Sequence, residues 1–366
     1  MAYLRDYLVP QSKSKIKAGD GMQFGEYRFF TSSPIQSKYY HTATYDQPAL
    51  IFGTGGNASV HYCDEPFATS TDCLVMYGVK GSNLELIYHY LHTNLHLLQA
   101  GFKGAGLQHI SKEYILDISI DLPEGNEQNH LLTETRIIDS LINARHKQLS
   151  KLDELVKSRF IEMFGTLSSH EQNFEILTIE ALCSLIKDGT HQTPTYTEDT
   201  INGFKFLSSK DVMTEKIDWS DIKYIPSDLH ERLYAVVKPI RNDILMSKNG
   251  VNYGVAAVND TDEVFDIYVS LALLRPKTDI INPVYFRCAI NNPDTKRQFD
   301  GSIKGIGVPN LHLGEIKKTQ ILVPPMDKQI EYVSFVEQID KSKFEIQKSL
   351  EKLETLKKAL MQKYFG

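Results

Sequence analysis

The segment KGAGLQHI at residues 103–110, leading on to LDELVKSRFIEMFG at 152–165, returns as KGIGVPNL at 304–311 and LETLKKALMQKYFG at 353–366. The two copies align without a gap at a constant offset of 201. Lys103/Lys304, Gly104/Gly305, Gly106/Gly307, Ile120/Ile321, Pro123/Pro324, Gln128/Gln329, Ile138/Ile339, Leu149/Leu350, Leu152/Leu353, Leu155/Leu356 and Phe164/Phe365 are identical. A repeat this long far exceeds the roughly 20–50 residues of solenoid units, so it marks a duplicated domain. Each copy reads as a variable globular part followed by a long helix.

The globular parts match less closely. Tyr27–Thr31, Ala49–Phe52 and Asp72–Tyr77 are β-rich runs, answered by Gly203–Ser209, Asp243–Ser247 and Val269–Leu274. Phe29–Ser32 pairs with Phe206–Ser209 at an offset nearer 177, so insertions have accumulated in the globular parts while the helices kept register. Ile115–Leu122 and Ile316–Val323 read as strands that end at Pro123 and at Pro324-Pro325 before the helices begin. On the first helix Ile138, Ile142, Leu149, Leu152 and Val156 form an apolar seam interrupted by Arg145 and Arg159. On the second, Ile339, Ile346, Leu350, Leu353, Leu356 and Leu360 do the same. Either helix alone would suit packing on its own domain. Two matching seams favour an antiparallel pair, with Leu149, Leu152, Leu155, Leu350, Leu353 and Leu356 as the spacer contacts. The boundaries that follow are 1–128 and 166–327 for the globular domains, and 129–165 and 328–366 for the helices.

Composition narrows the class. The chain has 366 residues, a net charge of −6 and 42% hydrophobic residues, enough for a sizeable core in each half. Its four cysteines, Cys63, Cys73, Cys183 and Cys288, are far apart; they suit a reducing cytoplasm rather than a disulfide framework or zinc knuckle. The charged start MAYLRDYLVPQSKSK predicts no secretory signal, and no apolar run is long enough to span a membrane. The acidic balance argues against wrapping nucleic acid unaided, though a few localised basic side chains would serve a recogniser whose partners supply bulk charge.

Catalytic signatures do not emerge. His89, His92 and His96 have helical spacing, but no carboxylate lies between them and a partly buried helix is the simpler reading; no metal site is expected. Gly53-Thr54-Gly55-Gly56 and Gly104-Ala105-Gly106 lack the Lys-Ser/Thr of a phosphate loop and read as tight turns that permit close backbone approach. Asn291-Asn292-Pro293-Asp294 only superficially resembles the Asn-Pro-Pro-aromatic motif of amino-methyltransferases. What does concentrate at strand-to-loop junctions is polar chemistry suited to base edges and phosphates. In the first half these DNA-binding candidates are Arg28, Thr31, Ser32, Ser33, Lys38, Tyr40, Thr54, Asn57 and Ser59. In the second they are Lys187, His191, Gln192, Thr193, Ser208, Ser209, Lys210, Lys248, Asn249 and Tyr253.

With these residues in view, the whole chain resembles the specificity subunit of type I restriction-modification systems. The resemblance rests on Leu182–Pro194 with its Asp188-Gly189-Thr190-His191, on Phe206–Val212, on Arg241–Gly250, and on the duplicated strand-Pro…Gln-helix segments. The first half keeps only Asp20-Gly21 of the Asp-Gly-Thr-His opening. The resemblance implies an α+β fold: two α/β target recognition domains separated by two long antiparallel helices, a coiled-coil spacer with pseudo-twofold repeat. It implies a non-catalytic DNA-recognition subunit reading a bipartite double-stranded site, one domain per half-site. It would recruit two methyltransferase subunits and, for cutting, restriction/translocase subunits. S-adenosylmethionine, ATP and Mg would belong to those partners and no cofactor to this chain. The competing readings are a catalytic DNA methyltransferase with unrecognised motifs and a protein-only coiled-coil scaffold.

Overall fold

The computed structural model describes residues 2–104, 106, 108–123, 125–169, 174–250, 252–303 and 309–365. The KGIG that opens the second copy of the repeat, and the closing Gly366, lie outside the described residues. The chain divides into two units, Met1–Gln148 with Ile346–Gly366 (unit 1) and Leu149–Glu345 (unit 2).

Unit 1 contains β1 (Ala2–Tyr3), β2 (Leu8–Pro10), β3 (Tyr27–Phe30), β4 (Lys38–Tyr40), β5 (Ala49–Gly53), β6 (Ser59–Cys63), β7 (Phe67–Thr69), β8 (Cys73–Gly78) and β9 (Ser119–Ile120). Unit 2 contains β10 (Glu175–Thr178), β11 (Cys183–Asp188), β12 (Phe204–Leu207), β13 (Lys223–Ile225), β14 (Ile244–Ser247), β15 (Ala256–Val258), β16 (Phe265–Ile267), β17 (Leu271–Pro276) and β18 (Gln320–Val323). Every sheet of unit 1 has a twin in unit 2. The four-stranded order β2-β8-β5-β6 repeats as β11-β17-β14-β15, the three-stranded β4-β3-β7 as β13-β12-β16, and the pair β1-β9 as β10-β18. Even the mixed pairing is copied, since β3 runs parallel to β7 and β12 parallel to β16.

The central strands β5 and β14 are buried along their whole length and, apart from Ser247, carry only apolar residues and glycine, because both of their faces are covered. Along β5, Leu50 and Phe52 enter one core with Met76 and Leu91, while Ala49 and Ile51 enter another with Phe30 and Phe67. In β14, Ile244 and Met246 likewise face the cluster around Tyr285 and Tyr332, and Leu245 faces Phe265 and Leu273. The two-residue period of a strand produces this division.

The strands expected over Ile115–Leu122 and Ile316–Val323 are half right. Each begins instead as a helical turn, Lys112–Leu116 and Leu313–Lys318, and only Ser119–Ile120 and Gln320–Val323 pair as strands. Ser111 caps the first of these turns by accepting the Tyr114 amide, and each turn buries one isoleucine, Ile115 or Ile316. The histidine-bearing segment also breaks, into Leu84–Thr93 and Leu95–Gln99. Asn94 turns its side-chain amide onto the Tyr90 carbonyl there.

Two long helices, Asn126–Phe164 and Met326–Phe365, contribute to both units. The repeated Pro…Gln spacing has a structural cause at their starts. Gln128 Nε2 donates to the Pro123 carbonyl at 2.6 Å, and Gln329 Nε2 to the Pro324 carbonyl at 2.8 Å. Gln329 is fully buried and also accepts the Asn282 amide.

In unit 1 the helices run antiparallel, with Lys357 donating to Asp139 at 2.6 Å and Met361 packed by Leu131 and Leu132. In unit 2 Lys343 donates to Asp153 at 2.5 Å and Tyr332 to the Val156 carbonyl at 3.1 Å, in the same sense. The covered positions follow alternating steps of three and four: Ile142, Arg145, Leu149, Leu152, Val156 and Arg159 on one helix, Ile339, Lys343, Ile346, Leu350, Leu353, Lys357 and Leu360 on the other. Leu155 and Leu356 do not belong to this seam. They stand on the outer side, 45% and 55% exposed, because the step of three from Leu152 or Leu353 overshoots the stripe that the step of four continues. Among the described residues no helix is long and apolar enough to cross a membrane.

Candidate nucleic-acid interface

The repeat extends to the hydrogen bonds around the loops. In unit 1 the Ser70 amide donates to Phe30, Thr54 to Asp72, and Ile110 to Thr54, each to the backbone carbonyl. In unit 2 Tyr268 donates to Leu207, Lys248 to Ser270, and Leu311 to Lys248 in the same way. The turn between β5 and β6 therefore corresponds to that between β14 and β15, with Gly56 (φ 83°) answering Gly250 (φ 85°). Only a residue tolerant of positive φ suits that corner. His109 bridges Gly55 in unit 1 just as Asn310 bridges Asn249 in unit 2, so equivalent positions of the repeat, His109–Ile110 and Asn310–Leu311, meet this turn in the two units.

Several first-half candidates gather here. The hydroxyls of Ser32 and Thr54 both donate to the Asp72 carbonyl at 2.8 Å, and Ser59 donates to the Ser32 carbonyl at 3.2 Å. Thr54 and Ser59 are buried, so they shape the loop rather than present a hydroxyl to solvent. That corrects their reading as direct contacts. Thr31 and Ser33 accept the Ser33 and Ile35 amides and order the β3–β4 loop, while Asn57 is exposed at the turn. Arg28, Lys38 and Tyr40 stay on β3 and β4. Arg28 pairs with Glu65 at 2.8 Å, Lys38 donates to the Ala18 carbonyl at 2.8 Å, and Tyr40 stacks on Phe29 with centroids 5.5 Å apart.

The second half differs most at Lys248. Its side chain is 6% exposed and its ammonium is paired with Asp188; a cation so placed balances a carboxylate inside the protein and is no phosphate ligand. Asp188, which the sequence shows only as the first residue of Asp188-Gly189-Thr190-His191, supplies that carboxylate. Ser208 donates through its amide to Asp211 at 2.7 Å, and Lys210 pairs with Asp211 at 2.8 Å and Asp221 at 3.2 Å. The Ser209 amide donates to the Ser270 hydroxyl at 3.0 Å. Tyr253 donates to Asp300 at 2.6 Å beneath the Lys296 ammonium, 3.3 Å from its ring centre. Asn249 is half-buried at the turn.

The Asp188–Thr190 segment is architecture. A Cβ on Gly189 would lie 2.2 Å from the Ile267 carbonyl oxygen, and the Thr190 amide donates to that carbonyl at 3.0 Å. Lys187 donates to the Val236 carbonyl at 3.1 Å, whereas His191, Gln192 and Thr193 project outward. Beside them opens a cavity of about 430 Å³ walled by Ile186, Leu233, Val236 and Ile267. Behind it, buried Asp266 holds His230 Nδ1 at 2.7 Å. Burial pushes the Asp266 carboxyl above its ordinary range, and the His230 hydrogen bond works against that. Nothing in the local sequence flagged this pair, because its members are 36 residues apart. Likewise Arg275 grips the buried Asp243 carboxylate through two bonds of 2.8 and 2.9 Å, which accounts for the Asp in Arg241–Gly250.

Known proteins agree with this architecture. The family described as the type I restriction modification DNA specificity domain matches residues 9–154 and again 175–358, and the chain belongs to that family. It is 22% identical over 331 residues to the type I restriction enzyme MjaVIII specificity subunit of Methanocaldococcus jannaschii, covering 85% of this chain and 76% of that one. With the EcoBI specificity subunit of Escherichia coli the identity is 21% over 347 residues, 86% and 72% of the two chains. The crystal structure of a type I restriction-modification S subunit from M. genitalium superposes with a TM-score of 0.54 at 16% identity, covering 100% of this chain and 95% of that one. The protein is therefore a specificity subunit. It recognises DNA for a type I system and is not itself the catalyst; the methyltransferase and scaffold alternatives find no support in these matches.

Proposed function

We propose that each unit reads one half of a bipartite duplex site. The carrying observation is the duplication: every sheet and the hydrogen bonds at the loop bases recur, while the loop sequences that those bonds hold differ between units. A shared frame with divergent tips suits two readers of unlike half-sites. The three-four spacing of the long helices supports their pairing as a coiled-coil spacer. Methylation mapped across a genome in cells carrying this chain and its cognate methyltransferase tests the reading. Replacing residues 1–110 with the equivalent region of a relative is expected to change one half of the methylated sequence and leave the other intact; simultaneous change of both halves refutes it.

Two methyltransferase subunits, joined by restriction/translocase subunits, fit the same duplication. Leu155 and Leu356 are the same residue at equivalent repeat positions, and both are exposed leucines on a long helix. Such a matched pair offers one contact point per copy of a single partner. Leu155→Glu and Leu356→Glu are each expected to remove one of two bound methyltransferase subunits in native mass spectrometry. Loss of neither would detach these leucines from the assembly. S-adenosylmethionine, ATP and Mg act in those partners, and the assembled complex works in the cytoplasm.

A further inference from the structure

The Lys-Gly-x-Gly sequence is common to two units whose neighbouring loops have diverged, and in unit 1 its glycine has a conformational reason. Gly104 adopts a φ of 144°, in the region that favours glycine. Lys103 has no such reason. Its backbone exchanges two hydrogen bonds of 3.0 Å with His109, which any residue except proline could make. Its side chain is exposed and forms no ion pair or hydrogen bond among the described residues. Folding therefore explains the glycine and leaves the lysine unexplained.

The surroundings supply a reason. His109 joins Lys103 on one side to the Thr54-Gly55 backbone on the other, with its Nδ1 3.1 Å from the Thr54 carbonyl. Gly56 at the tip has open space where a side chain would be. The cations read from sequence at this interface are engaged: Arg28 by Glu65, Lys38 by Ala18, Lys187 by Val236, Lys210 by Asp211 and Asp221, and Lys248 by Asp188. Lys103 is uncommitted beside the turn. Two unlike half-sites share no base sequence, but they share the sugar-phosphate backbone. A feature kept in both readers is matched to what both targets have.

We propose that Lys103, carried beside the Gly55-Gly56 turn, binds a DNA backbone phosphate and anchors unit 1 without regard to sequence, leaving base choice to the diverged loops. This rests on the DNA-reading function proposed above. The test uses the chain assembled with its methyltransferase, and two duplexes, one with the mapped site and one scrambled, titrated across a range of salt. Lys103→Ala is expected to weaken both duplexes by the same factor, about five-fold, and to reduce the slope of log K against log salt by about 0.9. The methylated sequence and the thermal midpoint should stay unchanged, and Lys103→Arg should retain most of the affinity. An unaltered affinity and slope, a loss confined to the site duplex, or a changed methylated sequence overturns the phosphate assignment alone. A wild-type complex that does not distinguish the duplexes overturns the DNA-reading function, and the assignment falls with it.

Discussion

Gly189→Ala is expected to destabilise unit 2 by about 3 kcal/mol or more, read as a drop in the urea midpoint at unchanged m-value. The added Cβ would lie 2.2 Å from the Ile267 carbonyl oxygen and 2.4 Å from that of Tyr268. Both are backbone atoms held by the β12–β16 pairing and by the Thr190 bridge to Tyr268, so no rotamer change can relieve the clash. Moving the loop away would break the bonds that Gly189 and Thr190 donate to Leu271 and Ile267 and that Thr190 accepts from Val269. Gly314→Ala is the internal control: it lies in the helical turn Leu313–Lys318 with nothing near the new methyl, and should be neutral or stabilising by up to about 1 kcal/mol. Equal midpoints for the two variants would remove close approach as the reason for Gly189.

Asp188→Ala is expected to cost about 3 kcal/mol, because it strands the Lys248 ammonium in the interior without its carboxylate. Asp188 itself is 21% exposed against 6% for Lys248, so the penalty comes chiefly from the lysine. The double variant Asp188→Ala/Lys248→Met removes both charges and should recover most of the loss, since apolar replacement of a buried pair is commonly close to neutral. A thermal melt of the single and double variants decides it. If the double variant is as unstable as Asp188→Ala, desolvation of Lys248 is not the cause.

These two residues show how the sequence signal divides. The segment from Asp188 to His191 stands out as a motif, and its first three residues prove to be framework: charge balance, a close backbone approach and a bridge. The outward part is His191–Thr193. Motif strength reports how many constraints act on a residue, and buried constraints are as strict as functional ones. Thr54, Ser59 and Lys248 are buried where the sequence predicts DNA contacts, and for the same reason. A hydroxyl or ammonium at a strand-to-loop junction looks free in one dimension, and only the fold brings Asp72, Ser32 or Asp188 against it.

The sequence by itself determined the duplication, the long helices with their seam, the apolar central strands and the placing of the polar clusters at strand ends. All of these are periodic or local: steps of three and four along a helix, two along a strand, and a fixed offset between copies. Tertiary structure alone decided the pairing across sequence distance. It set β3 parallel to β7 and β12 to β16, turned Leu155 and Leu356 outward, and closed Asp243 on Arg275 and Asp266 on His230. A charge or hydroxyl is spent or available according to which distant group lies within about 3 Å of it, and no local pattern encodes that distance.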